Sequence, residues 1–521
     1  MTTDARRPVG KARRRVAAIA ILVFSAATLL ANGQTTATSA QVTVDASAPI
    51  GLLGTEIDTQ IKYPGALDHA PGTRPLLRAL GAPRIRINAT ADGCCWPGGP
   101  APMIPAGIVE GSWDFSSLDS VVNDITAARA ETVLNIFQAP EWMWDCTTRT
   151  IRDLTFSEFA DYMARLVAYY NKGSFVAEDG RTIINPAGVA NRITYWELWN
   201  EPDLLSIACV PDRAQNVTAE QYVAMWNATT GKMLAVDSSI KFLGPATDAP
   251  EYVTALIGGA LRRPDALSYH GYAGGLVSQS DQFLFDGLDG IASSLVRIRD
   301  WGIPVWVTEL NVNSAGTDDP THRPYNGFGA AWGASAFRLL ALGGAATIFQ
   351  YEFAHPDNPT FQLVDPAAGT PRLPYWRDYY LARYFPPGST LLWANSSLGG
   401  VETLAVRPPG SASVHVLLVN RQVDSPTAVG GPGLPGTVQV TVGNLPGITQ
   451  VSLRQFDDAT PLASGPPATS LPVGSSATVN FSGYGAAILE FATASQGDEY
   501  GGLVDKATAG PVFRAEAGDA D

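Results

Sequence analysis

"TYWELWNEPD", residues 194–203, places three large aromatics, two glutamates and an Asn-Glu-Pro break in ten consecutive positions. The run opens like a buried strand and ends at Pro202, whose ring disfavours continuation through the residue before it. Asn200 and Glu201 are therefore expected at a strand tip. Regular alternation would send these two side chains to opposite faces, so both serve one site only if the strand breaks near Pro202.

Outward from this run, short apolar β-rich segments alternate with longer stretches of helical period. The strand candidates are residues 51–58, 84–88, 132–137, 193–200, 241–247, 266–272, 304–310 and 346–353, and the run quoted above supplies the fourth. Helix candidates between them include 116–130, 157–171, 219–236 and 328–344, with Ser116 and Ser157 as expected N-caps. Eight βα units over about 340 residues match an α/β fold of the (β/α)8 TIM barrel type. The competing doubly wound sheet lacks its mark, since no Gly-rich phosphate loop follows the first strand. After residue 385 the period changes to short strands punctuated by Gly, Pro and Ser, which predicts an accessory antiparallel β-sandwich domain. The expected domains are an N-terminal targeting segment (1–40), a strand joining the sandwich (41–49), the barrel (50–386), the C-terminal β-sandwich (387–493) and an acidic, aperiodic, disordered tail (494–521).

Across 521 residues, 45% hydrophobic and 16% charged, the composition is that of a folding chain. Its first segment differs in kind: Arg6, Arg7, Lys11, Arg13, Arg14 and Arg15 precede an apolar run from Val16 to Ala31 and then small residues up to Ala40. That order reads as an export signal, either cleaved after Ala40 or retained as an N-terminal membrane anchor. The body is expected to be secreted or held at the cell envelope. Cleavage would remove six basic side chains and one acid, taking the net charge from −14 to −19. Such a body repels nucleic acid and anionic lipid, and the expected ligand is neutral. Cys94, Cys95, Cys146 and Cys209 suit an oxidising compartment. Adjacent cysteines rarely pair with each other, so one of Cys94 and Cys95 is expected to join Cys146 and the other Cys209, in either order. No C-x-x-C spacing and no His-x-His pair occurs among the four cysteines and five histidines, so neither a metal nor another cofactor is expected.

If the barrel is right, strand ends mark its active face. Glu201 lies just past the fourth strand and Glu309 at the end of the seventh, three βα units apart. Two carboxylates facing one cleft are what glycosidic bond cleavage uses: one protonates the departing oxygen, the other attacks or stabilises the anomeric carbon.

"WELWNEPD" followed far downstream by "VWVTELN" resembles clan A of the glycoside hydrolases, retaining (β/α)8 enzymes with Asn-Glu after strand four and Glu after strand seven. Together with "RIRIN", "APEWMW", "LSYHGY" and the flanking sandwich, the pattern is most similar to family 39, which includes β-xylosidases, α-L-iduronidases and endo-acting enzymes. The resemblance spans roughly residues 50–490. It implies Glu201 as acid/base and Glu309 as nucleophile of a double displacement through a covalent glycosyl-enzyme on a poly- or oligosaccharide. It also implies Asn200 at the sugar hydroxyl beside the anomeric carbon, His270 and Tyr272 as the His-x-Tyr pair, with Tyr272 touching the nucleophile, and Arg86 keeping Glu309 ionised. Strand eight departs from the pattern: "FQYEFAHPD" lacks the sugar-stacking Trp, leaving Tyr351 or Phe353 to serve.

Among the tryptophans near strand ends, Trp142 is the expected sugar platform, whereas Trp199 fits the hydrophobic core. Glu352 competes with Glu309 for the nucleophile's role. Two other functions share these residues: a carbohydrate-binding barrel without catalysis, and a transglycosylase using the same two glutamates.

Overall fold

The computed structural model describes residues 38–62, 66–67, 72–89, 104–106, 109–206, 208–209, 213–355 and 359–494. The expected targeting segment up to residue 37, Cys94, Cys95 and the expected tail from 495 lie outside the described residues. The chain enters through a long strand, β1 (Thr38–Leu52), and then forms eight parallel strands: β2 (Glu56–Ile61), β3 (Arg84–Ala89), β4 (Glu131–Ile136), β5 (Tyr195–Leu198), β6 (Lys241–Pro245), β7 (Ala266–Gly274), β8 (Val305–Asn313) and β9 (Thr347–Gln350). Each pairs with the next, and β9 pairs back onto β2, closing the barrel.

Helices α1 (Thr73–Leu80), α2 (Ser116–Ala127), α3 (Ser157–Lys172), α4 (Ala219–Val236), α5 (Pro250–Gly259), α6 (Asp281–Arg299), α7 (Gly327–Gly343) and α8 (Leu373–Tyr384) accompany the strands. Most show one buried stripe and one polar face, as a barrel's outer layer requires. Helix α4 starts at a reciprocal capping box between Thr218 and Gln221. The caps expected at Ser116 and Ser157 are corrected: both serines lie inside their helices. Their amides are taken by acceptors further upstream, Asp114 Oδ1 for Ser116 and Thr155 Oγ1 for Ser157.

Inside the barrel the strands stack in layers. Val133, Leu243, Ala266, Trp306 and Phe349 form an apolar plug. Arg84 covers it, its guanidinium 4.7 Å from the Trp306 ring and paired with Asp58 and Glu56. Toward the carboxyl ends the interior turns polar, with Gln60, Arg86, Asn88, Asn135 and Glu197 all buried. Burying so many polar groups stabilises a fold poorly unless they bond one another, which marks this end as the functional one.

The strands after residue 389, β10 (Thr390–Ser396), β11 (Val401–Arg407), β12 (Val414–Asn420), β13 (Gly436–Gly443), β14 (Ile448–Phe456), β15 (Thr469–Leu471), β16 (Ser476–Phe481) and β17 (Gly485–Thr493), join β1 in one continuous sheet ordered β15-β14-β17-β12-β11-β10-β1-β13-β16, and three short two-stranded ribbons lie in the barrel's loops. Every neighbouring pair is antiparallel except β1 with β13. Both faces of β12 are buried. Leu417 and Val419 pack with the barrel's core, whereas Val416 joins Val42, Val440, Val479 and Leu489 in a separate one, so the sheet curls over itself. Helix α7 lies between barrel and sheet and is buried on nearly all sides, which is why its sequence is almost wholly small and apolar. The first strand candidate, 51–58, divides between two elements: Gly51 and Leu52 end β1, and the barrel strand begins at Glu56. Only three residues outside any strand separate the two elements, and periodicity alone could not show that they pair with different sheets.

Candidate active site

Strand β5 stops at Leu198, earlier than expected. Trp199 and Glu201 both have positive φ, 73° and 42°, a region that residues with a Cβ rarely adopt. The turn survives because its backbone oxygens are held from several elements. Tyr222 donates to Leu198 O (2.9 Å), Asn135 Nδ2 to Trp199 O (2.8 Å), Asn216 Nδ2 to Glu201 O (3.1 Å) and Tyr252 to Pro202 O (3.0 Å). Trp199 itself is core, its indole donating to Asn216 Oδ1. The break undoes strand alternation, so Asn200 and Glu201 both line the cleft at the barrel mouth.

Strand β8 reaches the same mouth through an irregularity. In the β7–β8 register Tyr269 faces Val307 but His270 faces Glu309, so Thr308 is an extra residue and Glu309 is re-aimed. Arg86, fully buried at the centre, serves four acceptors. It donates to Glu309 Oε1 (2.7 Å), Glu197 Oε2 (2.6 Å), Gln60 Oε1 (2.7 Å) and Asn200 Oδ1 (2.8 Å). One guanidinium thereby ties strands β2, β3 and β8 to the turn after β5, using a fork that lysine lacks.

His270 and Tyr272, at the end of β7, complete the ring. Tyr272 donates to Glu309 Oε2 (2.6 Å), and His270 Nδ1 lies 2.8 Å from Glu201 Oε1 and 3.5 Å from Glu309 Oε2. Burial opposes the charged form of Glu309, but the charges of His270 and Arg86 and the Tyr272 hydroxyl outweigh it and hold the carboxyl well below its ordinary value. Burial likewise opposes a charged His270; the Glu309 charge and the bond to Glu201 outweigh it, and its pKa is raised. Glu309 is thus an ionised carboxylate, while Glu201, its side chain 28% exposed, has access to solvent and substrate.

Glu201, His270 and Glu309 also bring donor atoms within 4.8 Å of one another, near enough to share a metal ion. Their bonds argue against that use. Both Glu309 oxygens already accept hydrogen bonds, one from a guanidinium whose charge would repel a cation.

The cleft, about 290 Å³, is lined by Asn200, Glu201, Glu309 and Tyr272, with Tyr351, Phe137 and Phe361 as aromatic walls. Tyr351 stands edge-on to Tyr272 and Phe361, ring centroids 6.0 and 4.9 Å away. Trp142 is a correction. It does not line this cleft, because its N–H donates to Ala106 O (2.6 Å) and its face is covered by the Arg152 guanidinium at 5.2 Å. Phe353 is core as well. Glu352 is buried outside the cleft, accepting the Lys62 amide at 2.8 Å, and burial pushes its carboxyl up to about 8. It is therefore protonated at neutral pH and cannot compete with Glu309 as a nucleophile.

The disulfide pairing is also corrected: Cys146 is bonded to Cys209, joining the loops after β4 and β5. Gln60, Asn88 and Glu197 are site residues that sequence reasoning missed. Each is a polar residue buried on a barrel strand; at Asn88 and Glu197 the apolar flanks in "RIRIN" and "YWEL" were the available signal, whereas the largely polar "EIDTQI" gave none for Gln60.

Arg86→Lys is expected to fold, to lower kcat about 100-fold, and to move the acidic limb of the pH–rate profile upward. A single ammonium cannot reach Glu197, Asn200 and Glu309 together, and a carboxylate losing its cation gains pKa. An acidic limb that stayed in place would separate Arg86 from the ionisation of Glu309.

No protein-family model matches the chain, and no curated protein does. Solved structures do. A monomeric β-xylosidase from Caulobacter crescentus CB15 is 16% identical, covering 87% of this chain and 100% of its own, with a TM-score of 0.59. A GH30 endoxylanase from Clostridium papyrosolvens is 14% identical (87% and 100% covered, TM-score 0.56). A GH51 α-L-arabinofuranosidase from Thermotoga petrophila RKU-1 is 13% identical (87% and 99% covered, TM-score 0.57). At these identities the likeness is one of fold, and it extends over barrel and sheet together.

Proposed function

We propose that this chain is an exported, retaining glycoside hydrolase of the clan A type, akin to family 39, acting on O-glycosidic bonds of a poly- or oligosaccharide. The observation that carries the reading is the pairing of Glu201 with Glu309, whose carboxylate oxygens come within 4.8 Å of each other at one cleft. An oxygen-to-oxygen approach of this kind lets both carboxylates act on one glycosidic bond, the arrangement that paired-carboxylate cleavage uses. The names of the proteins sharing the fold, a xylosidase, an endoxylanase and an arabinofuranosidase, support the same class.

In the first step Glu309 attacks the anomeric carbon. The bond to the leaving oxygen breaks with its electron pair, and that oxygen takes the proton of Glu201. In the second step Glu201 removes a proton from water, which attacks the same carbon and displaces Glu309. Arg86 and Tyr272 keep Glu309 ionised and aimed, and Asn200, oriented by Arg86, faces the bound sugar. No step calls for a cofactor.

Export and attachment rest on the basic–apolar–small order of residues 1–40, and the Cys146–Cys209 bond suits an oxidising compartment. Thr38–Ala40 pair with residues 436–438, so cleavage after Ala40 would trim three paired residues from β1.

The test is the configuration of the first product. Proton NMR during hydrolysis of a panel of aryl xylosides, glucosides and arabinofuranosides is expected to show the substrate's own anomer before mutarotation. An inverted first product would overturn the double displacement. Absence of turnover across the panel and on polysaccharides, with sugar binding intact, would favour a binding protein.

A further inference from the structure

Two cavities meet at Glu201. The first is the cleft of about 290 Å³ that contains Glu309. The second, about 590 Å³, runs between the loop after β6 (Ala246, Thr247, Asp248) and helix α6. Glu201, Leu204 and Tyr272 line both, Glu309 lines the first, and His270 lines the second. Helix α6 contributes Gly287, Gly290, Ser294 and Arg297, a stripe at three- and four-residue spacing, with exposed Ser293 beside it.

The two glycines in that stripe differ. A Cβ on Gly287 would sit 2.6 Å from Ala273 O, so closeness of helix and strand requires glycine there. A Cβ on Gly290 would meet nothing within 4 Å, and the position is exposed. The absence of a side chain at 290 is not a packing requirement, and the position borders the groove. The groove's polar groups suit hydroxyls rather than an anion. Arg297 is offset by Asp248 at 3.7 Å, Asp248 accepts the Ser294 hydroxyl at 2.7 Å, and Asp203 adds a negative charge.

A sugar bonded to Glu309 must occupy the first cavity. The proton of Glu201 goes to the group departing on the other side, and the other side of Glu201 is the second cavity. That cavity has about twice the volume of the one holding the first ring. We infer, resting on the glycosidase reading above, that the β6–α6 groove holds the leaving-group side of the substrate, and that this side is a neutral chain of at least two sugar units. The preferred substrate is then an oligosaccharide or polymer and not a small glycoside.

The test compares kcat/KM for p-nitrophenyl glycosides of xylose, glucose and arabinofuranose with matching oligosaccharide ladders, in the wild type, Gly290→Phe, Ser293→Trp and a control, Gly231→Phe. Gly231 is an exposed helical glycine with open space, on neither cavity. In the wild type, kcat/KM should rise about tenfold or more as the leaving group lengthens from one sugar to two, because remote binding is used at the reacting bond. In Gly290→Phe and Ser293→Trp the ratio of oligosaccharide to aryl-glycoside kcat/KM should fall about tenfold or more, and in Gly231→Phe it should not move. A ratio unchanged in both groove variants, or a wild type indifferent to leaving-group length, overturns the groove's role while leaving the glycosidase standing. A wild type that turns over none of the glycosides or oligosaccharides overturns both.

Discussion

Glu309→Ala is expected to lower kcat/KM about 10⁴-fold or more, a transition-state loss of about 5 kcal/mol, while the protein folds and still binds sugar. The loss should be large because the residue acts by forming a bond, and among the described residues nothing else lining the cleft stands ready to replace it. Glu352 is buried outside the cleft and protonated at neutral pH, and Glu201 is held to His270 at 2.8 Å. The variant leaves room where the carboxylate stood, next to the Arg86 guanidinium and the Tyr272 hydroxyl. Azide should enter there and restore part of the turnover on an activated aryl glycoside. Because azide attacks once from the nucleophile's face, the glycosyl azide formed should have inverted configuration, which NMR reads directly. Near-normal turnover in Glu309→Ala would remove Glu309 from the mechanism. A retained azide product would place it on the acid/base side.

Glu201→Ala should fail differently. With a sugar leaving group the loss is expected at about 10²–10⁴-fold, the usual range for general acid catalysis. With dinitrophenolate, which departs without a proton, the first step should proceed nearly unhindered. Glycosyl-enzyme should then accumulate on Glu309, visible as a burst and as a mass increase on the peptide carrying that residue. Azide should again accelerate turnover. This time it intercepts the glycosyl-enzyme, so two inversions give a product of retained configuration. The two variants thus distinguish the glutamates by stereochemistry rather than by loss of activity alone. If Glu201→Ala slowed the dinitrophenyl substrate as much as a disaccharide, its role would be positional and not that of a proton donor.

The wild-type pH profile follows from the same groups. Glu309 is held below its ordinary value and should impose no acidic limb until well below pH 4.5, the usual glutamate value. Burial opposes a charged His270, but the Glu309 charge and the bond to Glu201 outweigh it and raise the ring's pKa above its ordinary value, so the ring loses its proton at higher pH than a free imidazole.

How far such a site can be read from a sequence varies with the kind of information each residue carries. The alternation of β-rich and helical segments is a record of local burial, so the order of the barrel strands and seven of the eight, including "RIRIN" and "VWVTEL", were legible from periodicity, whereas the first, Glu56–Ile61, was legible only in part. Composition and the turn-rich segments after residue 385 likewise exposed the second, β-rich part. The strand-end motifs placed Asn200, Glu201, His270, Tyr272 and Glu309 at one rim, because a barrel's topology puts all carboxyl ends on one side.

What tertiary structure alone decided concerns which distant groups meet. Asn200 and Glu201 share the cleft only because Trp199 and Glu201 take left-handed backbone angles, held by Asn135, Tyr222, Asn216 and Tyr252 from other elements. A bulge at Thr308, not the strand period, aims Glu309. Arg86 is a hub because Gln60, Glu197, Asn200 and Glu309 converge on it across as many as 223 positions of sequence. Cys146 found Cys209, and Trp142 lost its place at the cleft to a neighbouring carbonyl and a guanidinium. Sequence by itself determined the elements, their order and the chemical types at their tips, since these depend on each residue's own preference for burial and backbone shape. The tertiary structure decided the partners, since hydrogen bonds and charges act across a few ångströms of space and leave no period along the chain.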